Sequence, residues 1–398
     1  ARTSLVGQNN FTNAAHSMGS DTALLTGKSP FETRVLYPPD TLKGSAKYQH
    51  LPGILRQYGY YAVELGVPYY VDANIIDFRD AFDEVNCAAN PPATLFERLS
   101  GYGYDEAFYL VDSLTGRVSE RLAHVLFLQD MVDPLKQVGR SRGANLTDAD
   151  RMACLRNYIR DGQSSGRPLF AQVHLMDTHG GKFSPARQVF SIGREQTEDW
   201  MTDFYDDAIL SFDARLQDFV DFLKANGQYE NTLLVVYTDH GQQFQTTGRL
   251  PLILHFPQDA HTGVVAAATQ NLDVAPTILD YLGIEPPTWM SGNSLLAEVN
   301  PTRLIVAGST GKIGLQNTDF FTLTNDARKP PFYQFSEISA VQCQNWYRID
   351  LTTLAMTGGT VSGYVDPCPT DQLDSAGTVR ARVGELLSAY GYELPQDW

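Results

Sequence analysis

The sequence predicts an α/β fold, with a mostly parallel central sheet flanked by helices over residues 1–300 and a small α+β subdomain over residues 301–398. Three observations predict it. Short apolar runs at Tyr61–Leu65, Leu169–Met176, Leu233–Tyr237 and Leu250–Phe256 are bounded by polar or turn residues, as buried strands are. Segments of helical periodicity alternate with them, as in a doubly wound sheet. Beyond residue 300 the pattern changes to short strand-like runs separated by turns.

In order along the chain, residues 1–15 are polar, with a short apolar patch at Leu5 and Val6. Ser17, Gly19 and Ser20 then precede Ala23-Leu24-Leu25, which predicts a loop running into a helix, N-capped by Ser20 or Asp21 and stopped at Gly27. Leu51–Tyr60 reads as a short helix ended at Gly59, and the strand Tyr61–Leu65 follows. Residues 71–120 read as loop-rich with short helices. Asp148–Arg160 carries Met152, Leu155 and Ile159 at helical spacing. The strand Leu169–Met176 delivers Asp177-Thr178-His179-Gly180-Gly181-Lys182 to its carboxyl end. A long helix over 203–226 has Ile209, Phe212, Leu216, Phe219 and Phe222 on its apolar stripe and stops at Gly227. Leu233–Tyr237 reads as a buried parallel strand, and residues 274–282 as a helix with Pro276 near its first turn. In the last hundred residues, Leu304–Val306, Phe320–Leu323 and Trp346–Ile349 suggest an antiparallel sheet closed by a helix at Thr378–Tyr390.

The bulk properties narrow the function. A formal net charge of −16 and a pI of about 4.8 disfavour nucleic acid and anionic lipid as partners. No run of about 18 apolar residues is present to span a membrane. The four cysteines, Cys87, Cys154, Cys343 and Cys368, form no C-x-x-C pair. They read as disulfides of an exported protein or as buried thiols, and Cys343 with Cys368 is the first pairing to test. Asn10-Phe11-Thr12 and Asn145-Leu146-Thr147 fit the N-glycosylation pattern. Together with the Tyr- and Gly-rich composition, these features point to an extracytoplasmic location.

Ligands of open α/β sheets bind at the carboxyl ends of strands. Asp239 and His240 sit at such an end, and a carboxylate beside an imidazole suits a divalent cation such as Ca, Mg, Mn or Zn. The plainer reading makes Asp239 a cap and His240 a loop residue. Ser17, Ser20 and Thr22 lie at the mouth of a helix, where backbone N–H groups favour an anion, or else they simply cap it.

Taken in order, these segments resemble the sulfatase family of the alkaline phosphatase superfamily. Phe11-Thr12-Asn13-Ala14 with Leu24-Leu25-Thr26-Gly27 is similar to its nucleophile loop and helix. Met176-Asp177-Thr178-His179 resembles its substrate-side histidine loop, and Thr238-Asp239-His240-Gly241 its second metal motif. Leu250–Ile253 and Asp273–Ile284 are similar to the segments that follow. The resemblance implies an alkaline-phosphatase-like fold and a metal-dependent hydrolase or transferase of sulfate or phosphate esters. Asp239 and His240 would hold the metal. His179 and Lys182 would contact the anionic ester or its leaving group.

Four departures qualify this. Ser17 stands where the family carries the cysteine that becomes formylglycine, and Gly19 and Asp21 replace its proline and arginine. No formylglycine is therefore expected by that route, and Ser17, Ser20 or Thr22 is left as nucleophile. No acid occurs among the sixteen residues before Ser17, where a first metal carboxylate belongs upstream. Gly66-Val67-Pro68-Tyr69 replaces an expected lysine and histidine. Only eight residues, Gln242–Arg249, separate Gly241 from Leu250, too few for the usual basic loop. Two readings follow: an ester hydrolase or transferase, with a further strand or a membrane anchor upstream, or a degenerate member that keeps the fold to bind a protein partner.

Overall fold

Four strands lie side by side in the order β6 (Leu234–Tyr237), β7 (Leu252–His255), β1 (Leu5–Phe11), β8 (Gly263–Gln270) in the computed structural model, which describes residues 2–89, 114, 118, 146–317 and 320–398. β1 is parallel to β8 and antiparallel to β7, and β7 is antiparallel to β6. A second sheet has the order β4 (Ala88–Ala89), β3 (Glu84–Val85), β2 (Tyr61–Leu65), β5 (Leu169–Val173), with β2 parallel to both neighbours. The expected α/β architecture, largely parallel and flanked by helices, is present, its strands divided between these two sheets. The helices are α1 (Ser17–Thr26), α2 (Pro30–Thr33), α3 (Leu51–Gln57), α4 (Ala73–Ile76), α5 (Asp148–Ser165), α6 (Thr202–Ala225) and α7 (Val274–Tyr281).

A cleft of about 1640 Å³ separates the sheets. The whole of β5 and the whole of β6 line it, with Leu24 of α1, Leu55 of α3, Leu155 of α5, Phe219 of α6 and Ile278 of α7. This corrects the expectation for Leu233–Tyr237. β6 is half-buried, and its strand partner among the described residues is the antiparallel β7.

β1 was not legible as a strand because its middle is polar. Its asparagines are nonetheless buried, and each is satisfied, as buried amides must be. Asn9 Nδ2 donates to the carbonyls of Ala266 (3.0 Å) and Val365 (2.8 Å). Asn10 donates to Asn271 Oδ1 (3.0 Å) and accepts from Thr269 Oγ1 (3.0 Å). Asn10 is fully buried, so the folded chain offers it to no glycan; Asn145 lies outside the described residues, as does residues 90–120 of the loop-rich stretch apart from 114 and 118.

α1 also starts earlier than expected. Its N-cap is His16, without a side-chain capping bond, and Ser20 and Asp21 lie inside a helix buried on every side. Gly27 ends it in the left-handed conformation at φ 65°.

In the C-terminal part, β14 (Met356–Thr360), β13 (Asn345–Asp350), β12 (Glu337–Gln342) and β9 (Leu304–Ser309) form an antiparallel sheet in that order. A hairpin of β10 (Ile313–Asn317) and β11 (Phe320–Leu323) and the helix α8 (Ala376–Ala389) accompany it. Phe335, Ile338, Val379 and Val383 pack with Ala14, Phe31 and Leu36, so this sheet shares a core with the segments flanking α1. Cys87 is bonded to Cys154 and Cys343 to Cys368.

Candidate active site

Three chain segments converge at one end of the cleft: the start of α1, the exit of β6 and the exit of β5. β1 leads into the turn Thr12–His16. There Ala15 N donates to Gly308 O (3.0 Å) and Asn13 Nδ2 to Gln270 Oε1 (2.9 Å), which fixes where α1 begins. Ser17 is the first residue of that helix, and its Oγ lies 3.4 Å from His240 Nε2.

The β6 exit is pinned from below. Ser20 Oγ donates to Asp239 O at 2.5 Å, and Asn271 Nδ2 donates to Thr238 O (3.1 Å) and Asp239 O (3.2 Å). His240 Nδ1 faces Gly241 O at 3.0 Å. A carbonyl only accepts, so Nδ1 is the donor in that contact. Asp239 Oδ1 accepts from His240 N (2.9 Å), while its Oδ2 is buried without a hydrogen-bond partner, 3.4 Å from His240 Nε2. Burial pushes the Asp239 carboxyl up, but His240, His174 and the Ser17 hydroxyl outweigh it and hold it below the usual range. Burial and the neighbouring His240 lower His16 to about 4, and the same two causes lower His179. Both imidazoles are neutral near pH 7.

Deeper, His174 at the β5 exit faces Asp21, and Tyr237 OH donates to Asp21 Oδ1 at 2.8 Å. Gln172 Nε2 donates to Tyr237 OH at 2.5 Å, tying β5 to β6 across the end of the cleft.

Ser17, Asp239 and His240 are thus brought together, with the His179 ring 6.4 Å from that of His240. Ser20 supports the site through the Asp239 carbonyl. Thr22 Oγ1 is buried with no hydrogen-bond partner. Lys182 is half exposed, donates to Gln196 O (3.1 Å) and pairs with Asp199 (3.4 Å). His174, Tyr237, His16 and Phe244 escaped the sequence reading as site residues, and Asp21 was read only as a cap or as the replacement of an arginine. The available signal was polar residues at alternating positions in otherwise apolar strands, Gln172 and His174 on the one side and Tyr237 on the other.

A divalent cation takes roughly four to eight donors. The orphaned Asp239 Oδ2 is suited to one, and His240 adds a nitrogen. Among the described residues, however, no group of three or more His, Cys, Asp or Glu side chains converges to hold a metal ion. The described residues do not by themselves fit a complete cation centre.

The family model described as Sulfatase matches residues 1–284. The N-acetylglucosamine-6-O-sulfatase of Bacteroides thetaiotaomicron is 29% identical over 100 residues, covering 22% of this chain and 18% of the relative. The match thus spans less than a fifth of that relative's length. A solved Bacteroides thetaiotaomicron protein of glycosaminoglycan metabolism superposes with a TM-score of 0.59 at 14% identity, covering 98% of this chain and 86% of the other. The phosphonate monoester hydrolase of Silicibacter pomeroyi superposes with a TM-score of 0.55 at 17% identity, covering 97% and 87%.

Proposed function

The chain belongs to the sulfatase family, and from that premise we propose that it hydrolyses sulfate or phosphate esters with Ser17 as nucleophile. The observation that carries this is Ser17 Oγ at 3.4 Å from His240 Nε2. The Ser17 hydroxyl proton passes to His240 Nε2 as Oγ bonds to sulfur or phosphorus. The bond to the ester oxygen breaks, and that oxygen leaves with the electron pair and takes the proton from His240 Nε2, departing as an alcohol. Water then attacks the serine ester and releases sulfate or phosphate, restoring Ser17. The family's relation to sulfated-sugar and phosphonate-ester hydrolases supports both ester classes. Two disulfides support an extracytoplasmic setting.

The incomplete donor set around Asp239 favours a second reading, a catalytically silent member that binds a protein partner. Initial rates on 4-nitrophenyl sulfate and phosphate, for the wild type and Ser17→Ala with and without added divalent cation, separate the two. Turnover lost in Ser17→Ala supports the hydrolase. No turnover under any condition supports the silent member.

A further inference from the structure

Residues 241–245 make a tight strap beside Ser17. Gly241 N donates to Gln245 O (3.0 Å) and Gln245 N to Gln242 O (3.3 Å). Within it, Gln243 and Phe244 are both left-handed, at φ 54° and 60°. Two successive side-chain-bearing residues adopt that conformation only when something holds them there, and such strain gathers at binding sites. Here it turns the Phe244 ring onto the site: its centroid lies 5.0 Å from that of His240 and 5.0 Å from that of His16. Trp200, also left-handed at φ 63°, is fixed by its N–H to Gly181 O at 2.7 Å. Its ring meets Phe244 edge-on at 6.2 Å and 78°. Phe244 nonetheless remains 39% exposed, so a constrained aromatic ring stands open to solvent next to the nucleophile.

We propose that Phe244, braced by Trp200, is a specificity-determining residue: the platform on which the carbon ring of a ring ester lies. Aromatic faces attract the C–H face of a pyranose and the π face of an aryl group alike, and both gain from desolvating the exposed Phe244 surface. A short alkyl ester offers neither face. This rests on the Ser17 hydrolase reading.

The test compares kcat/KM for a 4-nitrophenyl ester, a pyranose 6-ester and an n-propyl ester in wild type, Phe244→Leu and Phe244→Tyr. The wild type favours at least one ring ester. Phe244→Leu, which keeps bulk but loses the flat face, lowers the ring-to-propyl ratio about tenfold, mostly through KM, and Phe244→Tyr restores it. The two ring arms tell aryl from sugar. A ratio unchanged in Phe244→Leu overturns the platform while leaving the hydrolase standing. Should no ester turn over, the hydrolase reading falls, and binding decides the platform. In that case ring esters, but not propyl esters, quench a fluorescence that Trp200→Phe removes, and absence of that selectivity overturns it.

Discussion

His174 Nδ1 lies 3.3 Å from Asp21 Oδ2, a buried pair whose carboxylate is on the helix that Ser17 begins. Burial alone would lower the His174 pKa, but the proximity and charge of Asp21, with help from Asp239, raise it to about 9. In the unfolded chain it returns to 6.5. The stabilisation is therefore complete below about 6.5 and is lost as pH rises through about 9. Glu64, pushed up to about 8 by burial and by Asp72, acts in the same sense from about 4.5 upward. The melting temperature is expected to fall between pH 6.5 and pH 9.5, and more steeply in wild type than in His174→Gln. Parallel curves from calorimetry would exclude His174 as the cause.

The helix-mouth hydroxyls make a graded series. Ser17→Ala is expected to reduce kcat about a thousandfold or more, as loss of a nucleophile does. Ser20→Ala removes the bond to the Asp239 carbonyl and should cost about 1 kcal/mol of stability, with a smaller loss of rate. Thr22→Val replaces an unpartnered buried hydroxyl with a methyl and should be neutral or stabilising. Rates and denaturant midpoints on the three variants check the ranking, and a Thr22→Val protein without activity would contradict it.

Arg303 joins the C-terminal part to the α/β part. Its Nε donates to Ala268 O at 2.7 Å, and its other nitrogens pair with Asp273, a fully buried carboxylate that also accepts from Gln270 N (3.0 Å) and Asn293 N (3.0 Å). Arg303→Ala leaves that charge uncompensated. Urea denaturation should show a loss of about 3–5 kcal/mol, and a loss below 1 kcal/mol would mean water reaches Asp273.

Gly66 ends β2, where the backbone of the following loop returns against it. A Cβ there would lie 1.9 Å from the carbonyl oxygen of Val71. Because that obstacle is backbone, Gly66→Ala must displace residues 67–71, at an expected cost of about 2 kcal/mol. Unchanged thermal stability would show that the loop relaxes freely.

How much of this was legible in the sequence depended on where polar residues fall. Leu169–Val173 and Leu234–Tyr237 were readable because their apolar runs are uninterrupted enough to stand out. β1 was hidden by Gln8, Asn9 and Asn10, whose partners lie hundreds of residues away in the chain. The Asp239–His240 corner was visible as a local motif. The Asp21–His174–Tyr237 cluster was not, because three separate elements supply it and none carries a motif alone. Likewise no local signal says that Phe244 turns back onto His16; that follows from two left-handed residues in a shortened loop.

The cleft between β5 and β6 has a dynamic consequence. Among the described residues, β2 is laddered on both sides and so is β1, whereas β5 and β6 each have a ladder on one side only. Local opening along this seam breaks no strand–strand hydrogen bond. Amide hydrogen exchange should therefore be quickest at the cleft-facing N–H groups of β5 and β6 and slowest in β1 and β2. Ser17, Asp239 and His240 stand at the end of that seam, which the Gln172–Tyr237 bond closes.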